Sequence, residues 1–137
     1  MTEAPRRVPV VDYLSLDGAG GPVLRANACT ACGALFFDRR NACARCGARE
    51  FEHRPLGTTG TVRAFTIVKR AAPNVPVPYV SAVVALDGGG VVKANIRDVE
   101  PDPAQVTLGM RVALTTFTCG TDVEGTEAVA FGFAPAT

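Results

Sequence analysis

Residues 29–46 read CTACGALFFDRRNACARC, a C-x2-C-x10-C-x2-C frame that places Cys29, Cys32, Cys43 and Cys46 in two CxxCG pairs. Two residues between cysteines let one tight turn aim both sulfurs at a single ion, and a second such turn completes a tetrahedron. Gly33 and Gly47 follow the second cysteine of each pair. That position often enters the left-handed backbone region while N–H groups turn toward the sulfurs, which glycine does without steric cost.

The ten residues between the pairs leave room for a short hairpin, with Ala34–Phe37 as its first arm and Asp38-Arg39-Arg40-Asn41 as its turn. The expected product is a zinc ribbon with one closed structural ion, worth on the order of 10 kcal/mol of folding free energy in small zinc domains. Phe51, at the end of the ribbon, is expected to cover the thiolates or pack on the next segment. Two other uses of the four thiols stay open at this stage. Iron in a rubredoxin-like tetrathiolate uses the same paired turns and would make the chain an electron carrier. Two disulfides would need an oxidising compartment, and the first residues, Met-Thr-Glu-Ala-Pro, carry no apolar signal region. Cys119 stands apart between Thr118 and Gly120 and reads as a buried thiol on a strand.

The charge is unevenly placed. Residues 25–54 hold six arginines (Arg25, Arg39, Arg40, Arg45, Arg49, Arg54) against Asp38, Glu50 and Glu52, whereas residues 55–137 hold six basic and seven acidic side chains. A basic ribbon on a neutral body suits phosphate, whether of a nucleic acid or of a nucleotide-bearing small molecule. Apolar residues make up 47% of the 137, yet no run approaches the roughly 18 needed to span a bilayer. No membrane segment and a cytoplasmic location are therefore expected.

Residues 1–22 read as an extended N-terminal segment, with a weakly alternating strand over Val8–Leu16 and a glycine-rich loop after it; the ribbon occupies 23–54. From 55 to 137 the pattern changes. Thr61–Val68, Tyr79–Leu86, Val91–Val99, Arg111–Phe117 and Glu127–Phe133 are β-branched or aromatic runs separated by glycine and proline turns. Pro73-Asn74-Val75-Pro76-Val77-Pro78, leading into Tyr79, reads as a stiff extended loop. No long amphipathic helix is present. The fold class expected is all-β, an N-terminal zinc ribbon followed by a five-stranded, antiparallel Greek-key barrel of the OB type.

The order of these features carries more than any one of them. Two CxxCG turns, then Gly60-Thr-Val-Arg-Ala-Phe-Thr-Ile-Val, a proline-rich loop, Pro78-Tyr-Val-Ser-Ala-Val-Val-Ala-Leu-Asp and Leu108-Gly-Met-Arg-Val together resemble the rubredoxin-type zinc-ribbon and OB-fold family known as domain of unknown function 35. The resemblance covers residues 23–134. It implies a partner rather than a reaction: a small accessory subunit of a thiolase-like enzyme, an acyltransferase or a lipid-transfer-type aldolase of steroid side chains, with a hydratase-fold subunit also found beside some members. It further implies a hetero-oligomer acting on acyl-CoA thioesters. Arg39, Arg40 and Arg45 become candidate contacts for the CoA phosphates, and the Pro73–Tyr79 loop a candidate partner or channel segment. The helix that often precedes such ribbons is missing here, and Asp38-Arg39-Arg40-Asn41 replaces the prolines often seen before the third cysteine.

No catalytic residue is assigned. The single histidine, His53, has no neighbouring nucleophile or acid, and no phosphate loop, nucleophile elbow or HExxH pair occurs. Asp98, Glu100 and Asp102 cluster in a proline-broken turn, where capping or solvent exposure accounts for them. The alternative of a different class is a single-strand nucleic-acid binder, since OB barrels stack bases on aromatic platforms. Phe65, Tyr79, Phe117, Phe131 and Phe133 are present for that role, but few cations interleave with them.

Overall fold

The computed structural model describes residues 6–16 and 21–136. The loop expected at 17–22 therefore falls largely outside the described residues, as do residues 1–5 of the lead-in. Among the described residues there are ten strands and no helix, so no helix is long and apolar enough to cross a membrane.

The ribbon is centred on β3 (Val23–Cys29), which pairs antiparallel with β4 (Leu35–Phe36) on one side and β5 (Phe51–Pro55) on the other. This corrects the expected hairpin. The first arm pairs backward with Asn27 and Ala28, ahead of the first cysteine, rather than with a second arm inside the ten-residue spacer. The cause is the knuckle itself: the Cys29 N–H donates to the Ala34 carbonyl, at 2.9 Å, and this folds the chain back onto the strand it has just left.

Where one strand was expected over residues 8–16, there are two short ones. β1 (Arg7–Pro9) lies parallel to the last strand of the barrel, and β2 (Leu14–Ser15) pairs with the start of β3.

The barrel is closed and five-stranded. β6 (Thr59–Val68), β7 (Tyr79–Leu86), β8 (Val91–Ile96), β9 (Arg111–Thr121) and β10 (Glu127–Pro135) run in the order β10-β8-β7-β6-β9, and pairing of β9 with β10 shuts the sheet. All pairs are antiparallel except the seam between β8 and β10, where Phe133 lies beside Ile96 in a parallel ladder. In β7, Val80, Ala82, Val84 and Leu86 face inward while their neighbours are half-buried, the period-two signature of a strand with one packed face. Arg63 is the extra residue of a bulge in β6, which adds the curvature that closure needs.

β9 runs four residues further than expected, through Thr118–Thr121, because β10 keeps pairing with it almost to the turn. Cys119 sits in this extension, at a second bulge, and is exposed rather than buried.

Ribbon and barrel share one core. Leu14, Leu24 and Ala26 pack in the same cluster as Leu56, Val62, Leu86, Val92 and Phe133. An aromatic chain crosses the junction: Phe37 to Tyr13 at 4.6 Å between centroids, Tyr13 to Phe131 at 5.8 Å, and Phe131 to Phe133 at 6.4 Å. Val106, fully buried, plugs the barrel from the long 97–110 connection. Asp102 supports that connection by accepting the Ala104 N–H at 2.8 Å, so the acid reads as a turn cap, while Asp98 and Glu100 are exposed.

Candidate metal centre

The four ribbon cysteines converge although two come from each end of a ten-residue spacer. Their ligand atoms all lie within 4.8 Å of one another, the only such cluster of metal-ligating side chains among the described residues. The Cys29 and Cys46 sulfurs stand 3.6 Å apart, as do those of Cys32 and Cys43. A tetrahedron with metal–sulfur bonds of about 2.3 Å has edges near 3.8 Å, so the sulfurs are spaced for one ion. They are too far apart for disulfides, whose bond is about 2.05 Å, and all four are free thiols.

The two knuckles repeat one hydrogen-bond scheme. Gly33 N–H donates to the Cys29 carbonyl and Gly47 N–H to the Cys43 carbonyl, each at 2.8 Å, and Cys43 N–H reaches the Ala48 carbonyl just as Cys29 N–H reaches Ala34. Gly33 and Gly47 have φ of 79° and 80°, the left-handed region expected from the sequence.

Electrostatics in the cluster favour a cation. Hydrogen bonding from the Cys32 N–H holds the Cys29 thiol below its ordinary value, against the effect of burial. Burial opposes ionisation of Cys43, but N–H groups of Cys46 and Arg45 outweigh it and bring that thiol to about 6; the Arg45 N–H lies 3.3 Å from the sulfur. The Ala48 N–H favours the Cys46 thiolate, yet the crowding sulfurs of Cys29, Cys32 and Cys43 dominate and push it to about 12. Thiolates crowded this closely raise the cost of ionising the next. A divalent ion supplies the charge that lets all four ionise together.

Around the centre, Phe51 packs edge-on against Phe36, with centroids 6.2 Å apart. Arg40 lies over the Phe36 ring, 4.4 Å from its centroid, and pairs with Asp38 at 3.5 Å. Asn27 donates to the Asp38 carbonyl at 2.8 Å and so fixes the start of the turn.

The three arginines singled out in the sequence are not equivalent. Arg39 and Arg40 line a cleft of about 560 Å³ between ribbon and barrel, whereas Arg45 belongs to the second knuckle, outside the lining of that cleft. The cleft has an apolar floor of Ala26, Leu35 and Leu56, a wall containing Tyr13 and Phe37, and Gly90 and Val91 on the barrel side. Sequence reasoning missed it, because Gly90 and Tyr13 are remote from the spacer and only the shared core brings them together.

The Pro73–Pro78 segment is exposed, with Val75 and Val77 each 42% accessible; Tyr79 opens β7 and is half-buried. Pro78 also borders a hollow at the barrel end, with Phe65, Ile67, Pro101 and Pro103. His53 is exposed in the middle of β5, opposite Asn27. Of the rings considered as stacking platforms, Phe133 is fully buried, Phe131 packs between Tyr13 and Phe133, and Phe117 is covered by Arg97.

A tetrathiolate ribbon fused through one core to a closed OB barrel defines the class of protein. Two domain models match in tandem: the rubredoxin-like zinc ribbon domain of ChsH2 over residues 17–52, and the C-terminal OB-fold domain of ChsH2 over residues 53–117. The chain belongs to this zinc-ribbon and OB-fold family, and its four-cysteine centre is a zinc site. Among solved structures it is similar to a chain of the Ltp2-ChsH2(DUF35) aldolase, at 26% identity and a TM-score of 0.68, covering 84% of this chain and 86% of the other. No curated protein matches it closely.

Proposed function

We propose that this chain is a non-catalytic accessory subunit of a thiolase-like enzyme, a lipid-transfer-type aldolase or an acyltransferase, acting on acyl-CoA thioesters in steroid or lipid side-chain metabolism. What carries the reading is the likeness, over 84% of the chain, to the DUF35-type chain of an aldolase complex. The described residues offer no set of nucleophile, base and acid around His53 or the exposed carboxylates, which supports a helper rather than a stand-alone catalyst.

In this reading the zinc ion is structural and the reaction belongs to the partner. The Pro73–Tyr79 loop lines the approach to the partner's acyl-CoA channel. Its prolines leave few conformations to lose on docking, and Val75 and Val77 present apolar surface at little entropic cost. Arg39, Arg40 and Arg45 meet the phosphates at the nucleotide end of CoA, since a guanidinium fork matches phosphate oxygens in pairs. The assembly is a cytoplasmic hetero-oligomer, in some settings with a hydratase-fold subunit.

Affinity capture of the full-length chain from its native cells, with mass spectrometry of the bound material, tests this directly. A stoichiometric thiolase-like protein is expected, and acyl-CoA turnover should require both chains. Recovery of nucleic acid alone, lost at moderate salt, would sink the reading.

A further inference from the structure

The cleft between ribbon and barrel is built differently from a protein-docking surface. It is concave, at about 560 Å³ it lies inside the range of about 300–1,000 Å³ usual for small-ligand sites, and its apolar floor is rimmed by a few polar groups. The rim holds Asp12, Asp38, Arg39 and Arg40. These four are not equally available. Arg40 is occupied by Asp38 and by the face of Phe36. Arg39 makes no ion pair among the described residues, and neither does Asp12. The free functions at the mouth are thus one guanidinium and one carboxylate, set against an aromatic wall in which Tyr13 and Phe37 lie 4.6 Å apart.

We propose that this cleft binds a purine nucleotide carrying an exocyclic amine: the base packs against Tyr13 and Phe37, Arg39 takes the phosphate, and Asp12 accepts from the amino group. Flat rings pack on aromatic walls, a guanidinium pairs with phosphate oxygens in a fork, and the N6 amine of adenine is a donor seeking an acceptor. Arg40 is a positioning residue here. Stacked on Phe36 and tied to Asp38, it stiffens the turn from which Arg39 projects. Gly90 contributes by having no side chain, because a Cβ there would stand 3.2 Å from the Leu56 Cδ1 atom that forms the floor.

The proposal rests on the reading that the ribbon arginines meet phosphate, and it narrows the contact to Arg39. Calorimetric titration of the zinc-loaded full chain, without partner, with ADP, adenosine, inosine diphosphate and inorganic phosphate tests it. ADP should bind more tightly than either adenosine or phosphate and more tightly than inosine diphosphate, which lacks the amine. Arg39→Ala should weaken ADP by about tenfold or more, the usual scale of one charged hydrogen bond. Val91→Glu changes a residue that is 47% exposed at the rim; it should repel the phosphates to a similar extent without touching the core. Asp12→Ala should abolish the preference for ADP over inosine diphosphate. No ADP binding, or binding matched by phosphate alone or indifferent to Arg39→Ala and Val91→Glu, overturns the cleft. Partner capture is scored separately, so a chain that captures a thiolase-like protein yet binds no ADP loses only this inference, and the reverse loses only the accessory role.

Discussion

The Arg97 guanidinium lies 3.6 Å from the centroid of the Phe117 ring, with its aliphatic stem resting over Gly132. A Cβ on Gly132 would meet the Asn95 carbonyl at 3.0 Å and the Arg97 stem at 3.1 Å. The absent side chain therefore makes the channel through which an arginine from the end of β8 reaches a ring on β9, across the parallel seam. Gly132→Val should cost about 1–3 kcal/mol through overpacking. Arg97→Ala should cost only the about 0.5–1 kcal/mol of an exposed cation–π pair. Urea unfolding of the two variants checks the ranking.

The metal assignment is tested by composition and colour. The purified chain should hold about one zinc ion, be colourless, and lose the metal on Cys29→Ser. Because Leu24 and Ala26 of the ribbon strand belong to the same core as the barrel, metal loss should lower barrel stability as well. A red-brown protein containing iron would contradict the zinc site.

The shared core predicts a single unfolding transition for both parts. Leu24→Ala, at a position with no exposure, should destabilise by about 2–5 kcal/mol and shift ribbon and barrel reporters together. Hydrogen exchange that protects the barrel while the ribbon opens freely would refute the coupling.

Asp87 should add a small acid-sensitive contribution of its own, apart from the proton competition for the zinc thiolates. Its carboxylate accepts from both Arg111 amino groups, at 2.9 Å for Nη1, and from the Thr59 hydroxyl at 2.6 Å. The Arg111 bonds first, then Thr59, hold it well below the usual carboxylate range. A folded pKa below the unfolded one stabilises the fold above about pH 4 and is lost as pH falls further. Asp87→Asn should therefore be slightly less stable than the parent at neutral pH and equal to it in strong acid; the pair is half exposed, so the difference is small. Thermal melts between pH 2 and 7 give the comparison.

The loop carries a prediction that separates folding from docking. Val75→Asp and Val77→Asp alter exposed residues and should leave the chain's own stability within about 0.5 kcal/mol. Capture of the thiolase-like partner should fall sharply. Unchanged capture would remove the loop from the interface.

Much of this was legible in the sequence. The cysteine spacing named the ligands, and period-two runs such as Tyr79–Leu86 gave strands with their inward faces, because both signals are local. The failures were all questions of pairing. Leu35–Phe36 chose a strand upstream of the metal, and Thr118–Thr121, with turn-like composition, stayed in the sheet because β10 offered a ladder. Cys119 came out exposed for the same reason, since a bulge shifts which residues face the interior. The cleft was invisible because its walls come from Tyr13, the spacer and Gly90, which only tertiary packing makes neighbours.

Each knuckle closes on itself with the same pair of bonds, from Cys29 to Ala34 and from Cys43 to Ala48, and Thr30 reaches outside, donating to the Glu50 carbonyl. The segment between them owes nothing to the ion beyond its two anchor points. Its exposed turn, Asp38–Asn41, can change without disturbing the centre, whereas Leu35, Phe36 and Phe37 are held by β3, Phe51 and Tyr13. The ribbon is in that sense a socket in which only the exposed turn is replaceable.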